Sequence, residues 1–407
     1  MIVRVGKHLL ALLTNLKIVN KLDELPKDSR TFWYCNIHYF FAISTMLYSR
    51  SSLSDQNSSK LDTVGGHTPG YPILKTTGDI LDPTSSVINP KNAVVDPMKY
   101  LREFNYGRIS TSSNGTVIRD FTLIASDQHT KEVSPGVFYN VWTFNGTIPG
   151  PTIRATEGDL IRITLINQGT KFHSIHFHGI HPSEMDGVFE GIAPGGRFTY
   201  EFTAEPFGLF LYHCHMQPLE EHITHGLYGV YIVDPKQGRP QADEMVMLMN
   251  GYDTDFDSEN NFYTVNGIPF YYMHHPIQIE KNRLIRIYLV NMLEFDPLNN
   301  FHLHANLFNF YKTGTKLIPD EYTDIVTMNQ AERGILEFSY KYPGKYMFHA
   351  HKTEFAEKGW TGLFLVKDNT SKSVNQNLNV TSIRNNISYS KSNFSNATNI
   401  VPTGGLK

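Results

Sequence analysis

The chain has 407 residues, enough for two or three domains, and 40% apolar with 13% aromatic content is ample for packed cores. A net charge of −3 excludes the basic face that a nucleic-acid binder needs. With only Cys35 and Cys214 present, a disulfide framework is excluded too, and cysteine usage leaves the redox compartment unread.

Basic residues from Arg4 to Arg30 precede an apolar run, Phe32 to Tyr48, so residues 1–63 read as a leader or anchor followed by a linker. The run is shorter than the ~20 residues of a comfortable transmembrane helix. A cleaved export signal, a membrane anchor and a start codon placed too far upstream all fit it. Residues 64–106, part of a stretch rich in Ser, Asp, Pro and Gly, read as an N-terminal arm. Regular structure is expected from about Gly107. Thr116–Ala125, Val137–Phe144 and Leu160–Asn167 are predicted strands, the last with Ile161, Ile163 and Leu165 alternating with Arg162 and Thr164.

The chain then repeats itself. Leu160-Ile161-Arg162-Ile163 returns as Leu284-Ile285-Arg286-Ile287, and both runs end at an Asn, Asn167 and Asn291. Arg197, Glu201-Phe202, Gly208 and His213 recur at the same spacings as Arg333, Glu337-Phe338, Gly344 and His349. Two copies of one β-unit predict an all-β chain of two tandem Greek-key sandwiches, residues 107–236 and 237–367. Residues 368–407 turn to Asn, Ser and Thr and read as a disordered tail. Sequons at Asn57, Asn114, Asn145, Asn369, Asn379, Asn386, Asn393 and Asn396 are a weak vote for export.

The chemistry centres on Tyr212-His213-Cys214-His215, behind the apolar residues Phe210 and Leu211. Read as a buried strand, it turns His213 and His215 to one face and Cys214 to the other. His222 follows in a predicted loop that can fold back toward the sulfur. In His173-Ser174-Ile175-His176-Phe177-His178-Gly179, His176 and His178 share a face and His173 takes the other. Laid side by side, the segments bring His173, Cys214 and His222 together. Thiolate and imidazoles in a His₂Cys set suit copper. Tetrahedral zinc is the competing reading, but it leaves the remaining His pairs unexplained. HxH recurs at His302-Leu303-His304 and His349-Ala350-His351, making four pairs where chance supplies roughly one.

HxxHxHG at His173–Gly179, HCH at His213–His215, HLH at His302, HAH at His349 and NGTIPGP at Asn145–Pro151 together resemble a laccase-like, two-domain multicopper oxidase. The similarity spans roughly residues 107–367 and names the β-unit as a cupredoxin domain. It implies four coppers per subunit. A type 1 copper sits on His173, Cys214 and His222, with Leu227 as a non-coordinating axial neighbour. His225 is the rival for His222. A type 2 copper falls to His176 and His302, and a type 3 pair to His178, His213, His215, His304, His349 and His351. Asp186 matches the family's acidic residue beside the type 2 copper, against a plain turn aspartate before Gly187. In the second copy Ala350, Asn299 and Trp360 stand where Cys214, His173 and Leu227 stood, so its blue site is lost.

The resemblance further implies that a reducing substrate gives up one electron at a time at the type 1 copper while O2 is reduced to water at the cluster. With only two domains, it implies a homotrimer with the clusters between subunits, in an exported or cell-surface protein. A copper nitrite reductase shares the two-domain trimer, but carries a carboxylate at the position of His176 and no His directly after the Cys. A non-enzymatic electron-transfer protein needs only the single blue site. The reducing substrate, a phenol, aromatic amine or low-valent metal ion, is left open. Glu220 and Glu221, just before His222, read either as solvated surface or as a docking patch for metal cations.

Overall fold

A computed structural model describes residues 96–368. The proposed leader, Cys35 and the Asn/Ser/Thr-rich tail lie outside the described residues. Among the described residues no helix is long and apolar enough to cross a membrane.

A short helix, α1 (Pro97–Tyr100), capped by the Asp96 carboxylate, comes before the first strand. The first sandwich then holds β1 (Arg108–Thr111), β2 (Val117–Ser134), β3 (Val137–Phe144), β4 (Gly150–Thr156), β5 (Leu160–Asn167), β6 (His176–Phe177), β7 (Arg197–Thr203), β8 (Gly208–His213) and β9 (Tyr228–Asp234). One sheet runs β1-β2-β5-β7 with β3 paired to β2, and the other runs β4-β9-β8-β6. Helix α2 (Leu219–Thr224) links β8 to β9.

The second sandwich holds β10 (Asp243–Tyr252), β11 (Phe262–Val265), helix α3 (Tyr271–His274), β12 (Ile277–Glu280), β13 (Ile285–Asn291), β14 (Asn299–Leu303), β15 (Phe308–Lys312), β16 (Glu321–Thr323), β17 (Ile325–Met328), β18 (Arg333–Phe338), β19 (Gly344–His349), helix α4 (Thr353–Glu357) and β20 (Thr361–Lys367). Its sheets run β11-β10-β13-β18-β15-β16 and β12-β20-β19-β14-β17. All-β architecture follows from the sequence pattern. The alternation along β5 is a strict in-out burial, because successive side chains point to opposite faces.

The sequence repeat is a repeat of pairing. β2 runs parallel to β5 as β10 runs parallel to β13, and the repeated Arg and Glu are cross-strand partners in both copies, Arg162 with Glu201 and Arg286 with Glu337. Each sandwich buries its own aromatic and aliphatic core. A third apolar cluster joins them, with Leu209, Leu211, Val230 and Ile232 of the first packed with Val246, Leu248, Val290 and Ile335 of the second. Buried at that seam, Arg154 is held by Asp234 and Glu244, and Arg286 by Glu244 and Glu337.

Candidate metal centres

Strand pairing places the first set of imidazoles. His176 on β6 stands opposite His213 on β8, and directly opposed residues share a sheet face. His176, His178 and His213 bring ring nitrogens within 4.8 Å of one another. The His215 ring lies 5.3 Å from that of His176. The second sandwich repeats this, with His302 opposite His349, His302, His304 and His349 within 4.8 Å, and the His351 ring 5.2 Å from His302.

Each tetrad is oriented by the backbone. His213 Nδ1 lies 2.8 Å from Cys214 O and His349 Nδ1 lies 2.7 Å from Ala350 O, so these N–H groups donate and turn each Nε2 toward the neighbouring imidazoles. Burial first, then neighbouring imidazoles, pushes His178 down to about 3, so it is neutral at neutral pH. Burial likewise pushes His213 and His349 down to about 4. Paired lone pairs, 3.4 Å apart for His178 and His213 and 2.9 Å for His304 and His349, suit a shared cation.

On the other side of β8 the parity argument places His173, Cys214 and His222 together. Their ligand atoms lie within 4.8 Å of one another, and all three residues are buried. The strand itself stops at His213. Cys214 N–H still donates to Leu227 O at 2.9 Å, and Ser174 N–H points at the sulfur from 3.4 Å. His222 sits on α2, where a loop was expected, and its buried Nδ1 finds no partner in the protein. An orphaned imidazole nitrogen beside a thiol and a second imidazole fits a soft metal ion. Burial, only partly offset by hydrogen bonds from the Ser174, His215 and Met216 segments, pushes the Cys214 thiol up to about 11, so a cation is what would hold it as thiolate here. Leu227 packs in the same core and offers no donor atom. His225 stands apart, with Nδ1 2.5 Å from Asn140 O and its ring stacked on Trp142.

The corresponding position in the second sandwich is closed by hydrophobic packing. Ala350 N–H donates to Trp360 O as Cys214 N–H does to Leu227 O, and Trp360 N–H to Phe355 O as Leu227 N–H does to His222 O. Phe355 therefore replaces His222, a loss hidden in the sequence because the connecting segment is shorter there.

Asp186 caps a 3₁₀ turn (Ser183–Met185), with carboxylate and carbonyl oxygens each 3.0 Å from His176 Nδ1. Both readings of Asp186 meet in this geometry, since the turn aims the carboxylate at the ring. Gly187 is obligatory, as a Cβ there would lie 2.0 Å from Ile175 O. Two acids escaped sequence reasoning. Asp324 O lies 2.9 Å from His302 Nδ1, mirroring Asp186. Asp127, some 46 positions upstream in the count from His173 yet adjacent in space, accepts from the Thr170 and Lys171 N–H groups and sits 3.4 Å from His173 Nε2. Burial pushes its carboxyl up, and these hydrogen bonds more than offset that. Neither carried a signal in the sequence, since Asp324 lies 22 positions after His302 where Asp186 lies 10 after His176. Of the two readings of Glu220 and Glu221, solvated surface is favoured over a docking patch, because Lys171 pairs with Glu221 at 3.3 Å.

Comparison with known proteins bears on the same segments. Multicopper oxidase family models match residues 127–238 and 240–370. A solved structure of a multicopper oxidase is 52% identical, with TM-score 0.68, covering 69% of this chain and 100% of that one. The copper-containing nitrite reductase of Neisseria meningitidis is 27% identical over 245 residues, 55% of this chain and 63% of that enzyme. Copper resistance protein A homolog of Pseudomonas syringae pv. tomato is 39% identical over 121 residues, 28% of this chain and 20% of that protein. The chain thus spans less than two thirds of the length of these curated relatives. Full coverage of a multicopper oxidase at half identity, with both family domains matched, carries the conclusion that the chain belongs to the multicopper oxidase family.

Proposed function

We propose that the protein is a laccase-like oxidase that takes single electrons from a small reducing substrate and reduces O2 to water with four coppers per subunit. His173, Cys214 and His222 hold the type 1 ion. His176 and His302 hold the type 2 ion, and His178, His213, His215, His304, His349 and His351 the type 3 pair. When bound, copper supplies the one-electron redox chemistry and the site of oxygen reduction. The chain's residues do the rest. The Cys214 backbone joins His213 and His215, a short covalent route between the two kinds of site. Asp186 and Asp324 hold the Nδ1 sides of His176 and His302 and keep Nε2 aimed inward. Asp186 is also the acid placed to pass protons.

The observation that carries this reading is the pair of four-imidazole half-sites, one on each sandwich at equivalent register. Completing a cluster joins the first-sandwich half of one chain to the second-sandwich half of another, in a closed head-to-tail homotrimer. Export, by a signal or an anchor, belongs to the same reading. The relatives' names favour a second one, a copper nitrite reductase. Against it stand imidazoles at 176 and 215, positions where that class carries a carboxylate and no His.

Metal analysis and turnover on purified, copper-loaded protein separate the two. Four coppers per chain with phenol-dependent O2 uptake are expected. Two per chain, with nitrite reduced to nitric oxide, would overturn the proposal.

A further inference from the structure

The ring contacts beyond His222 have no part in the chemistry above. Trp142, on β3, sets its edge against His222 with centroids 4.8 Å apart at 85°. His225 stacks on Trp142 at 4.7 Å and 11°, Tyr139 on His225 at 5.2 Å and 16°, and Phe256 on Tyr139 at 6.0 Å and 21°. Asn140 fixes the stack, accepting from the Trp142 indole N–H on its side chain and from His225 on its backbone carbonyl. The ladder starts at a buried imidazole and ends in water, because Trp142 is 2% exposed, Tyr139 3% and Phe256 70%.

Phe256 is not where packing would leave it. Its φ of 60° is a left-handed conformation that a bulky residue rarely adopts. Buried Asp253 enforces it by accepting from the N–H groups of Phe256 at 2.6 Å and Ser258 at 2.9 Å. Strain kept up to hold an aromatic ring in solvent points to function. Exposed Asp255 and Asp257 bracket Phe256 in the chain, their carboxylates within 4.8 Å of that of Asp253, and exposed Glu259 follows.

We propose that Trp142, His225, Tyr139 and Phe256 form an electron-entry route, through which a cationic redox protein docked on the Phe256 loop reduces the metal held by His173, Cys214 and His222. The inference rests on the type 1 reading above. In the step the docked protein loses one electron and the metal gains it, with no bond broken and no proton moved. A relay shortens the jump, because His173 and His222 are buried, at 0% and 2% exposure. Tunnelling weakens steeply with distance, and the ladder keeps successive ring centroids within 6.0 Å of each other. The three carboxylates select the sign of the donor, since clustered negative charge captures and orients a cation-rich face.

Reduced cytochrome c, a basic haem protein, is the probe. Calorimetry on the full-length, copper-free protein reads docking, and anaerobic stopped-flow loss of the blue band reads transfer. Asp255→Asn with Asp257→Asn and Glu259→Gln is expected to weaken docking roughly tenfold, an effect that fades above ~0.2 M salt. Tyr139→Leu is expected to dock normally with an unchanged blue band and to transfer about tenfold more slowly. Tyr139→Phe, which keeps the ring, restores the rate, and His225→Leu serves in place of Tyr139→Leu if that variant does not fold. Parental transfer in a ring-deleted variant with its blue band intact, or docking indifferent to the carboxylates, would overturn the route. A parent with no blue band would overturn the copper assignment and the route with it.

Discussion

Cys214 reports both what the residues reveal and what they hide. Alternation on one strand separates its sulfur from His213 and His215, and that much follows from spacing alone. The thiol has no competing role, being buried and the one free cysteine among the described residues. Cys214→Ser is expected to abolish blue absorption and to lower bound copper by one ion per chain. Metal analysis beside a visible spectrum checks this, and a blue serine variant would remove the type 1 assignment. Asp127 shows the opposite case. It lies on β2, far from His173 in sequence, and reaches it only because β2 and β5 pair side by side. No local pattern marks such a residue. Gly169 lets the approach happen, since a Cβ there would meet both His173 and Asp127 within 3.0 Å.

Elements were legible where one face is buried and one exposed. β3 and β5 occupy their predicted spans, whereas β2 runs on to Ser134, past the expected Ala125, through residues whose polarity hides the strand. Helix α2 was hidden by its shortness and its lack of a side-chain N-cap. The turn after β6 depends on a backbone shape rather than a pattern. Gly187 adopts φ +70° against the Ile175 carbonyl, and the turn carries Asp186 to His176. Gly187→Ala is expected to cost about 1–3 kcal/mol of stability and to lower turnover further than any loss of folded protein explains. Calorimetric melting and kcat measured on the same folded fraction check it. Unchanged kcat would mean that the turn does not position Asp186.

The two sandwiches share a polar seam as well as an apolar one. Burial pushes the Glu244 carboxyl up, but Arg154, Tyr288 and Arg286 hold it down at about 2, against 4.5 when unpaired. A carboxyl depressed on folding stabilises fully above its unfolded pKa, and the contribution is lost as pH falls from about 4.5 toward about 2. Melting temperature should therefore fall across that window. Glu244→Gln should flatten the fall and be less stable at pH 7, because Arg154 and Arg286 lose a shared anion at a buried seam. Scanning calorimetry against pH reads both, and a variant with the parental acid profile would show that Glu244 does not carry it.

The placing of one imidazole tetrad on each sandwich reaches into how a damaged copy of the gene would behave. In the head-to-tail trimer proposed above, chains carrying His178→Ala would spoil every cluster in their own ring, and so would chains carrying His304→Ala. When the two kinds are refolded together, a mixed ring rebuilds one cluster from the undamaged half of each. Equal mixing should return up to about a quarter of parental oxidase activity, since about three quarters of the rings are mixed and each of those joins two undamaged halves at one of its three seams. Two inactive alleles would then complement each other, whereas one inactive allele would leave the activity per healthy chain unchanged. If the mixture stayed as inactive as its parts while the trimers exchanged subunits, each chain would be closing its cluster by itself.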